Sequence, residues 1–113
     1  MSGAESLADL LAQYREAAEG TADPEPQVSN KWYDAIRVCY KKLRQTEEGR
    51  AGIVGLLSDP SPHVRMAAAA HSLMWSPGVA REVLEALRDS EGTRSFEAKW
   101  TLKEYDEGNL SFD

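Results

Sequence analysis

The segment Leu56-Leu57-Ser58-Asp59-Pro60-Ser61-Pro62-His63-Val64-Arg65-Met66-Ala67-Ala68-Ala69-Ala70 decides the fold of this chain. Two leucines end one helical stretch, and a short turn follows that carries an aspartate and two prolines. A second helical stretch then runs into four alanines, whose small side chains let neighbouring backbones approach closely. Because so short a turn makes the two helices fold back on each other, the segment predicts a helical hairpin.

Helical spacing of apolar residues extends this architecture along the chain. Six stretches repeat apolar residues at helical spacing and are bounded by glycine, proline or serine. We predict helices over about residues 4–19, 29–45, 47–58 and 62–75, a fifth capped by Ser76 and starting at Pro77, and a sixth capped by Thr93 and ending near Gly108. Residues 21–27, which include two prolines, are expected to form a loop. The fold class is therefore all-α.

The hairpin unit recurs after thirty residues, since Leu57 and Asp59 are echoed by Leu87 and Asp89. Stacked hairpins bury a continuous core, and about three of them are the usual minimum. Six helices supply three hairpins. We therefore predict a single domain over residues 1–113, built as a short αα superhelix.

Composition limits the classes of function. The 113 residues are 42% hydrophobic and 28% charged, which is typical of one globular domain. The formal net charge of −6 argues against binding by phosphate neutralisation and is compatible with steering of a basic partner. The single cysteine, Cys39, excludes an intrachain disulfide and is expected to be a buried structural thiol. No membrane span or signal peptide is recognisable, so the expected compartment is the cytoplasm.

Residues 52–74 resemble HEAT-like repeats, and a longer resemblance covers most of the chain. The chain is similar to a family of small bacterial helical proteins, described as a domain of unknown function, in the runs Pro62-His63-Val64-Arg65, Phe96-Glu97-Ala98, Leu102-Lys103-Glu104-Tyr105 and Gly108-Asn109-Leu110. The resemblance implies an αα-superhelix fold. It also implies that Arg65 pairs with a turn aspartate, either Asp59 or Asp89. Small acidic proteins of this kind often resemble immunity proteins, which neutralise a toxin made by the same bacterium.

No catalytic or metal-binding pattern is recognisable in the sequence. There is no second cysteine, no HExxH spacing, no glycine-rich phosphate loop and no nucleophile elbow. We expect His63 to be solvated in its turn. We expect His71 to lie in the core with one hydrogen-bonded nitrogen, or alternatively to make a polar contact at the concave surface. Neither enzymatic activity nor a cofactor is predicted.

The predicted sixth helix carries apolar residues on two sides. Ala98 and Leu102 lie on one side, whereas Phe96 and Trp100 lie nearly opposite. A terminal repeat normally presents a polar face to water. Either the tail over residues 109–113 folds back across this second side, or a partner covers it. Of the two, we predict the tail.

These features predict a non-enzymatic protein-binding module, most specifically an immunity protein whose acidic concave surface blocks a basic toxin domain. Aromatic side chains would supply buried area and carboxylates would supply steering. The candidate contact residues are Trp32, Tyr33, Trp75, Glu97, Trp100 and Glu104. An alternative is an adaptor or subunit of a larger assembly, acting as a monomer or as a homodimer through the sixth helix.

A remote alternative is a HEAT-like nucleic-acid-binding protein, since such stacks also occur in DNA-repair glycosylases. It is suggested by the basic residues of the second helix, Lys31, Arg37, Lys41, Lys42 and Arg44. The net acidity of the chain opposes it. Charges of this kind more often form a solvated helix face.

Overall fold

The computed structural model describes residues 6–92 and 94–112. In this part of the chain there are six α-helices and one 3₁₀ turn, and there is no strand. The helices are α1 (Leu7–Gly20), α2 (Pro26–Leu43), α3 (Glu47–Gly55), α4 (Pro62–Ser72), α5 (Pro77–Asp89) and α6 (Ser95–Asp106), with the 3₁₀ turn Leu56–Ser58 following α3. The predicted all-α fold is confirmed.

The helices belong to two compact units, Met1–Ile53 (unit 1) and Val54–Asp113 (unit 2). In unit 1, α1 packs on α2; in unit 2, α4 packs on the 3₁₀ turn, on α5 and on α6, and α5 packs on α6. Packing of consecutive helices on each other is the predicted hairpin arrangement. The single domain over residues 1–113 stays a prediction.

The core of unit 1 lies between α1 and α2. The buried side chains on the facing stripes are Tyr14, Ala17, Ala18, Ile36, Cys39, Tyr40 and Leu43. The predicted burial of Cys39 is confirmed. Gly20, the last residue of α1, lies against the indole of Trp32, and a Cβ atom at this position would overlap the ring. The glycine therefore lets the end of α1 approach α2 closely.

The core of unit 2 surrounds α4. This helix is buried on more than one side, as the alanine-rich sequence predicts, through Val64, Met66, Ala68, Ala69, His71 and Ser72. Ser61 caps its N-terminus by accepting a hydrogen bond from the Val64 N–H at 3.4 Å, and Pro62 occupies the first turn, where a missing N–H costs nothing. The opposing side chains are Ala80, Leu84 and Leu87 of α5 and Ala98, Thr101 and Leu102 of α6.

Several helix boundaries differ from the sequence prediction by two or three residues. The second helix begins at Pro26, three residues before the predicted start, because proline is favourable in a first turn. The third helix ends at Gly55, and its predicted last turn is the 3₁₀ turn. The fourth helix ends at Ser72, before predicted residue 75.

The predicted caps of the last two helices have different outcomes. Ser76 occupies the N-cap position of α5, but its side chain makes no capping hydrogen bond, so that prediction is wrong. Its backbone, with φ −141° and ψ 62°, is outside the extended conformation that directs a cap hydroxyl at the first turn. Thr93 lies outside the described residues.

Candidate functional site

One side of α6 exposes two large aromatic rings. The buried side of this helix carries Ala98, Thr101 and Leu102. Because residues four apart share a helix face, Phe96 and Trp100 lie together on the opposite side. The Phe96 residue is 79% exposed and Trp100 is 51% exposed. We call this pair the aromatic stripe.

Charged residues of opposite sign border the aromatic stripe. Helical geometry places Glu97 and Glu104 along one edge and Lys99 and Lys103 along the other. Glu97 is half-buried and accepts a 2.6 Å hydrogen bond from Nη1 of Arg94. The surface therefore combines an apolar centre with a carboxylate edge and an ammonium edge.

The N-terminus of α6 is attached to α4 through a buried arginine. Arg94 directly precedes α6, is 8% exposed, and donates from Nε to Nδ1 of His63 at 2.9 Å. The expectation that His63 is solvated is therefore wrong: the ring is half-buried and accepts a hydrogen bond from a residue 31 positions away. Burial of Arg94 beside it, which the sequence did not signal, is the physical reason.

The C-terminal end of α6 is attached to α5. Arg81 donates from Nη1 and Nη2 to the two carboxylate oxygens of Asp106, at 2.7 and 3.0 Å. These hydrogen bonds hold the pKa of Asp106 below its usual range. Both ends of the helix that carries the aromatic stripe are thus fixed to neighbouring helices by arginine side chains.

The tail of the chain does not cover the aromatic stripe, so that prediction is wrong. Gly108 has a φ of 75°, and the Asn109 and Gly108 N–H groups donate to the carbonyls of Glu104 and Tyr105 at 2.9 and 3.0 Å. This Schellman arrangement ends α6 and reverses the chain direction. The chain therefore returns toward α4 and leaves the outer side of α6 open.

The tail packs instead on a histidine of α4. The ring of Phe112 meets His71 edge-on, with the ring centroids 4.8 Å apart and an interplanar angle of 76°. His71 is buried, as predicted for a core histidine.

The other predicted contact residues lie elsewhere. Trp32 and Tyr33 belong to unit 1, where Trp32 is half-buried against Gly20 and Tyr33 is 43% exposed. Trp75 follows α4, is half-buried, and has a buried indole nitrogen. Of the six predicted residues, the structure therefore brings Glu97, Trp100 and Glu104 together on one helix. Phe96, which was not among the six, lies beside Trp100 on the same helix. The spacing of four residues between the two aromatic residues could have identified it from the sequence.

Four of the five basic residues predicted for the second helix are exposed to water. Lys31, Arg37, Lys41 and Lys42 are exposed, and Arg37 pairs with Asp34 at 3.4 Å. Arg44 is half-buried, with its guanidinium 5.0 Å from the ring centroid of Tyr40. This helix presents the solvated charged face that the sequence favours.

Arg65 binds the turn through its main chain. Its Nη1 donates to the carbonyl oxygens of Asp59 and Pro60, at 2.7 and 3.0 Å. The Asp59 carboxylate accepts from the Ser61 N–H at 2.9 Å, and Asp89 pairs with Arg88. Of the two expected partners, Arg65 therefore binds Asp59, but through the main-chain carbonyl, since the Asp59 and Asp89 carboxylates accept from Ser61 and Arg88.

Within residues 6–92 and 94–112, no group of three or more His, Cys, Asp or Glu side chains is arranged to hold a metal ion. No helix in that part of the chain combines the length and the hydropathy needed to cross a membrane. No family model matches the chain, and no curated protein or solved structure is significantly similar to it. The family resemblance therefore stays a prediction.

Proposed function

We propose that this chain is a non-enzymatic protein-binding module, and most specifically an immunity protein that binds and blocks a basic toxin domain through the aromatic stripe of α6. The exposed pair Phe96 and Trp100 is the observation that carries the proposal. Single exposed apolar residues are ordinary on protein surfaces, whereas two large rings in one row on a fixed helix are typical of an interaction site.

The aromatic stripe supports tight binding. A fully buried aromatic side chain removes about 150–250 Å² from water, and aromatic residues dominate the energetics of protein interfaces. Because α6 is fixed at both ends by Arg94 and Arg81, the backbone that carries the two rings loses little conformational entropy when a partner covers them.

The charge of unit 2 supports a basic partner. Residues 54–113 include ten acidic and six basic side chains, a formal charge of −4. Glu97 and Glu104 add carboxylates at the edge of the stripe. Because Lys99 and Lys103 balance these two carboxylates, the net negative charge of the unit as a whole supplies the steering; it accelerates association with a basic protein and makes the association rate fall as salt rises.

The test starts from the reading frame next to the gene of this protein. We expect it to encode a large secreted protein that ends in a small toxic domain. Production of this chain should restore growth to cells that make the toxic domain. Purified toxic domain and purified chain should form a complex whose association rate falls with added salt.

Surface variants test the position of the interface. The double variant Phe96→Ser with Trp100→Ser should weaken the complex at least about tenfold and abolish growth rescue. Val38→Ser, which changes an exposed apolar residue of α2, is the matched control and should bind as the wild type does. Full binding by a folded double variant would exclude the α6 surface. A neighbouring partner without toxicity would favour the adaptor function over immunity.

A further inference from the structure

The outer side of α6 has the residue spacing of a helix that pairs with another helix. Phe96, Trp100, Lys103 and Glu107 follow one another at intervals of four, three and four residues. Such intervals place side chains along the seam of a coiled coil. The first two residues form the aromatic stripe, whereas Nζ of Lys103 pairs with Oε2 of Glu107 at 3.6 Å. The seam is therefore apolar in its first two layers and charged where the helix ends.

We propose that a second copy of this chain covers the aromatic stripe in the free protein, with the two α6 helices packed in parallel about a twofold axis. Such an axis brings Phe96 against Phe96 of the second copy and Trp100 against Trp100 of the second copy. The dimer does not rest on the proposed function. A partner that uses the same rings must compete with the second copy, so self-association regulates access to the stripe.

Charge complementarity favours the parallel orientation. Lys99 belongs to the ammonium edge of the stripe and is exposed, and Glu104 belongs to the carboxylate edge and is half-buried. In a parallel pair, opposite edges of the two helices meet, and a residue faces the one five positions further along. Lys99 therefore faces Glu104 of the second copy. Because the interface is twofold, this pair of opposite charges forms twice.

The antiparallel orientation brings like charges together. In that arrangement the same edge of each helix meets, so Lys99 faces Lys99 of the second copy and Glu97 faces Glu97 of the second copy. The rings do not choose between the orientations, since Phe96 also meets Trp100 when the helices are antiparallel. Like charges opposite each other disfavour an arrangement, so the charged edges select the parallel one.

The size of the contact predicts a weak dimer. With 12 residues, α6 is about 18 Å long. One side of so short a helix is smaller than the area of about 800 Å² per partner that standard interfaces bury. The net charge of −6 also repels two copies at long range, whereas it attracts a basic partner. We therefore expect a dissociation constant above about 1 μM, which a tighter partner overcomes.

Sedimentation equilibrium of the purified full chain tests the dimer without any variant. Between about 10 μM and 1 mM, the apparent mass should rise from that of one chain toward that of two. The double variant Phe96→Ser with Trp100→Ser should keep the mass of one chain throughout. A wild type that remains monomeric at about 1 mM would overturn the proposal and leave the stripe to a foreign partner.

Charge reversal tests the parallel pairing. Lys99→Glu creates two carboxylate pairs across the interface, and Glu104→Lys creates two ammonium pairs. Each variant alone should dimerise at least about tenfold more weakly than the wild type. An equimolar mixture should regain the wild-type association, because both edge contacts again join opposite charges. The control Lys41→Glu makes the same charge change at an exposed position of α2 and should associate as the wild type does.

Two results of charge reversal would contradict the parallel dimer. One is a mixture that associates no better than its components, and the other is wild-type association of Lys99→Glu alone. All these measurements use the purified chain and none needs a toxic domain. Loss of growth rescue with an intact dimer would therefore reject the proposed function, and rescue by a strictly monomeric chain would reject the dimer.

Discussion

Arg81 holds Asp106 in a two-pronged hydrogen bond, at 2.7 and 3.0 Å, although 25 residues separate them in the sequence. The same guanidinium donates from Nε to Glu85 at 3.2 Å. One side chain at the start of α5 thereby fixes the end of α6. The pair is solvent-exposed, so its effect on stability is modest and is reduced by salt.

Asp106→Asn should therefore lower the melting temperature slightly at neutral pH. The Arg81 hydrogen bonds lower the pKa of Asp106 in the folded protein. The pair therefore stabilises the fold above about pH 4, and this stabilisation disappears as the pH falls through the folded-state pKa of Asp106. Thermal unfolding at neutral and acid pH, and in about 1 M salt, measures this pattern. Glu82→Gln, which removes an equal charge from an exposed position of α5, is the control. If Asp106→Asn still melts at a lower temperature than the wild type in salt or at acid pH, the ion-pair explanation is contradicted.

Truncation should destabilise the protein much more on the buried side of α6 than on the exposed side. Leu102→Ala removes buried methyl groups and should cost about 2–5 kcal/mol of unfolding free energy. Trp100→Ala removes a larger but half-exposed ring and should cost less than about 1 kcal/mol. Urea denaturation compares them directly. A larger loss for Trp100→Ala would mean that the aromatic stripe is structural.

Gly49→Ala should destabilise unit 1. A Cβ atom on Gly49 would overlap the carbonyl oxygen of Leu43, and a backbone atom cannot move aside as a flexible side chain can. Overpacking of this kind costs about 1–3 kcal/mol or more. Gly55→Ala, at the end of the same helix, has open space within 4 Å and should be neutral or slightly stabilising. Equal urea midpoints for the two variants would contradict the expected overlap.

Arg65→Ala should destabilise the turn before α4. The substitution removes the donor that binds the Asp59 and Pro60 carbonyls, and the expected cost is about 1–2 kcal/mol. Arg65→Lys supplies a charged donor with different geometry and should recover part of the loss. Unchanged thermal unfolding of Arg65→Ala would show that water replaces the guanidinium without penalty.

Tyr14 should make the protein sensitive to alkali. Burial, with smaller contributions from Tyr40 and Cys39, raises the pKa of Tyr14 well above its usual value. An unfolded chain ionises tyrosine near about pH 10, whereas the folded chain keeps this proton, so stability falls as the pH rises past that point. Tyr14→Phe should lose less stability than the wild type between about pH 8 and 11. The control is Tyr33→Phe, at an exposed position, which should lose as much stability as the wild type over the same pH range.

Local sequence patterns predicted the helices because each depends on residues a few positions apart. Helical spacing, Pro62 and Gly20 located α4 and the end of α1. The same reasoning treated Pro26 as a loop residue, since two prolines close together are typical of loops and one proline also suits a helix start. Because proline is common both in loops and at helix starts, it does not by itself locate the first residue of a helix.

Contacts between distant residues were not predictable from these patterns. The sequence identified Phe96 and Trp100 as an apolar pair but not whether the tail covers them. That outcome depends on the turn at Gly108 and on the ring contact between Phe112 and His71. The hydrogen bond from Arg94 to His63 spans 31 residues, and no local spacing signals it. The resemblance named Asp59 as a possible partner of Arg65, but it could not show that the contact is made with the carbonyl, because the Ser61 N–H already binds the carboxylate.

Because the Phe112 ring packs edge-on against His71, detachment of the tail from α4 reports local opening of unit 2. An endoprotease that cleaves after aromatic residues can cut at Phe112 only while this ring is detached from α4. The rate of that cut, followed by mass spectrometry, therefore reports how often the local opening occurs, without a dye, a label or global denaturation.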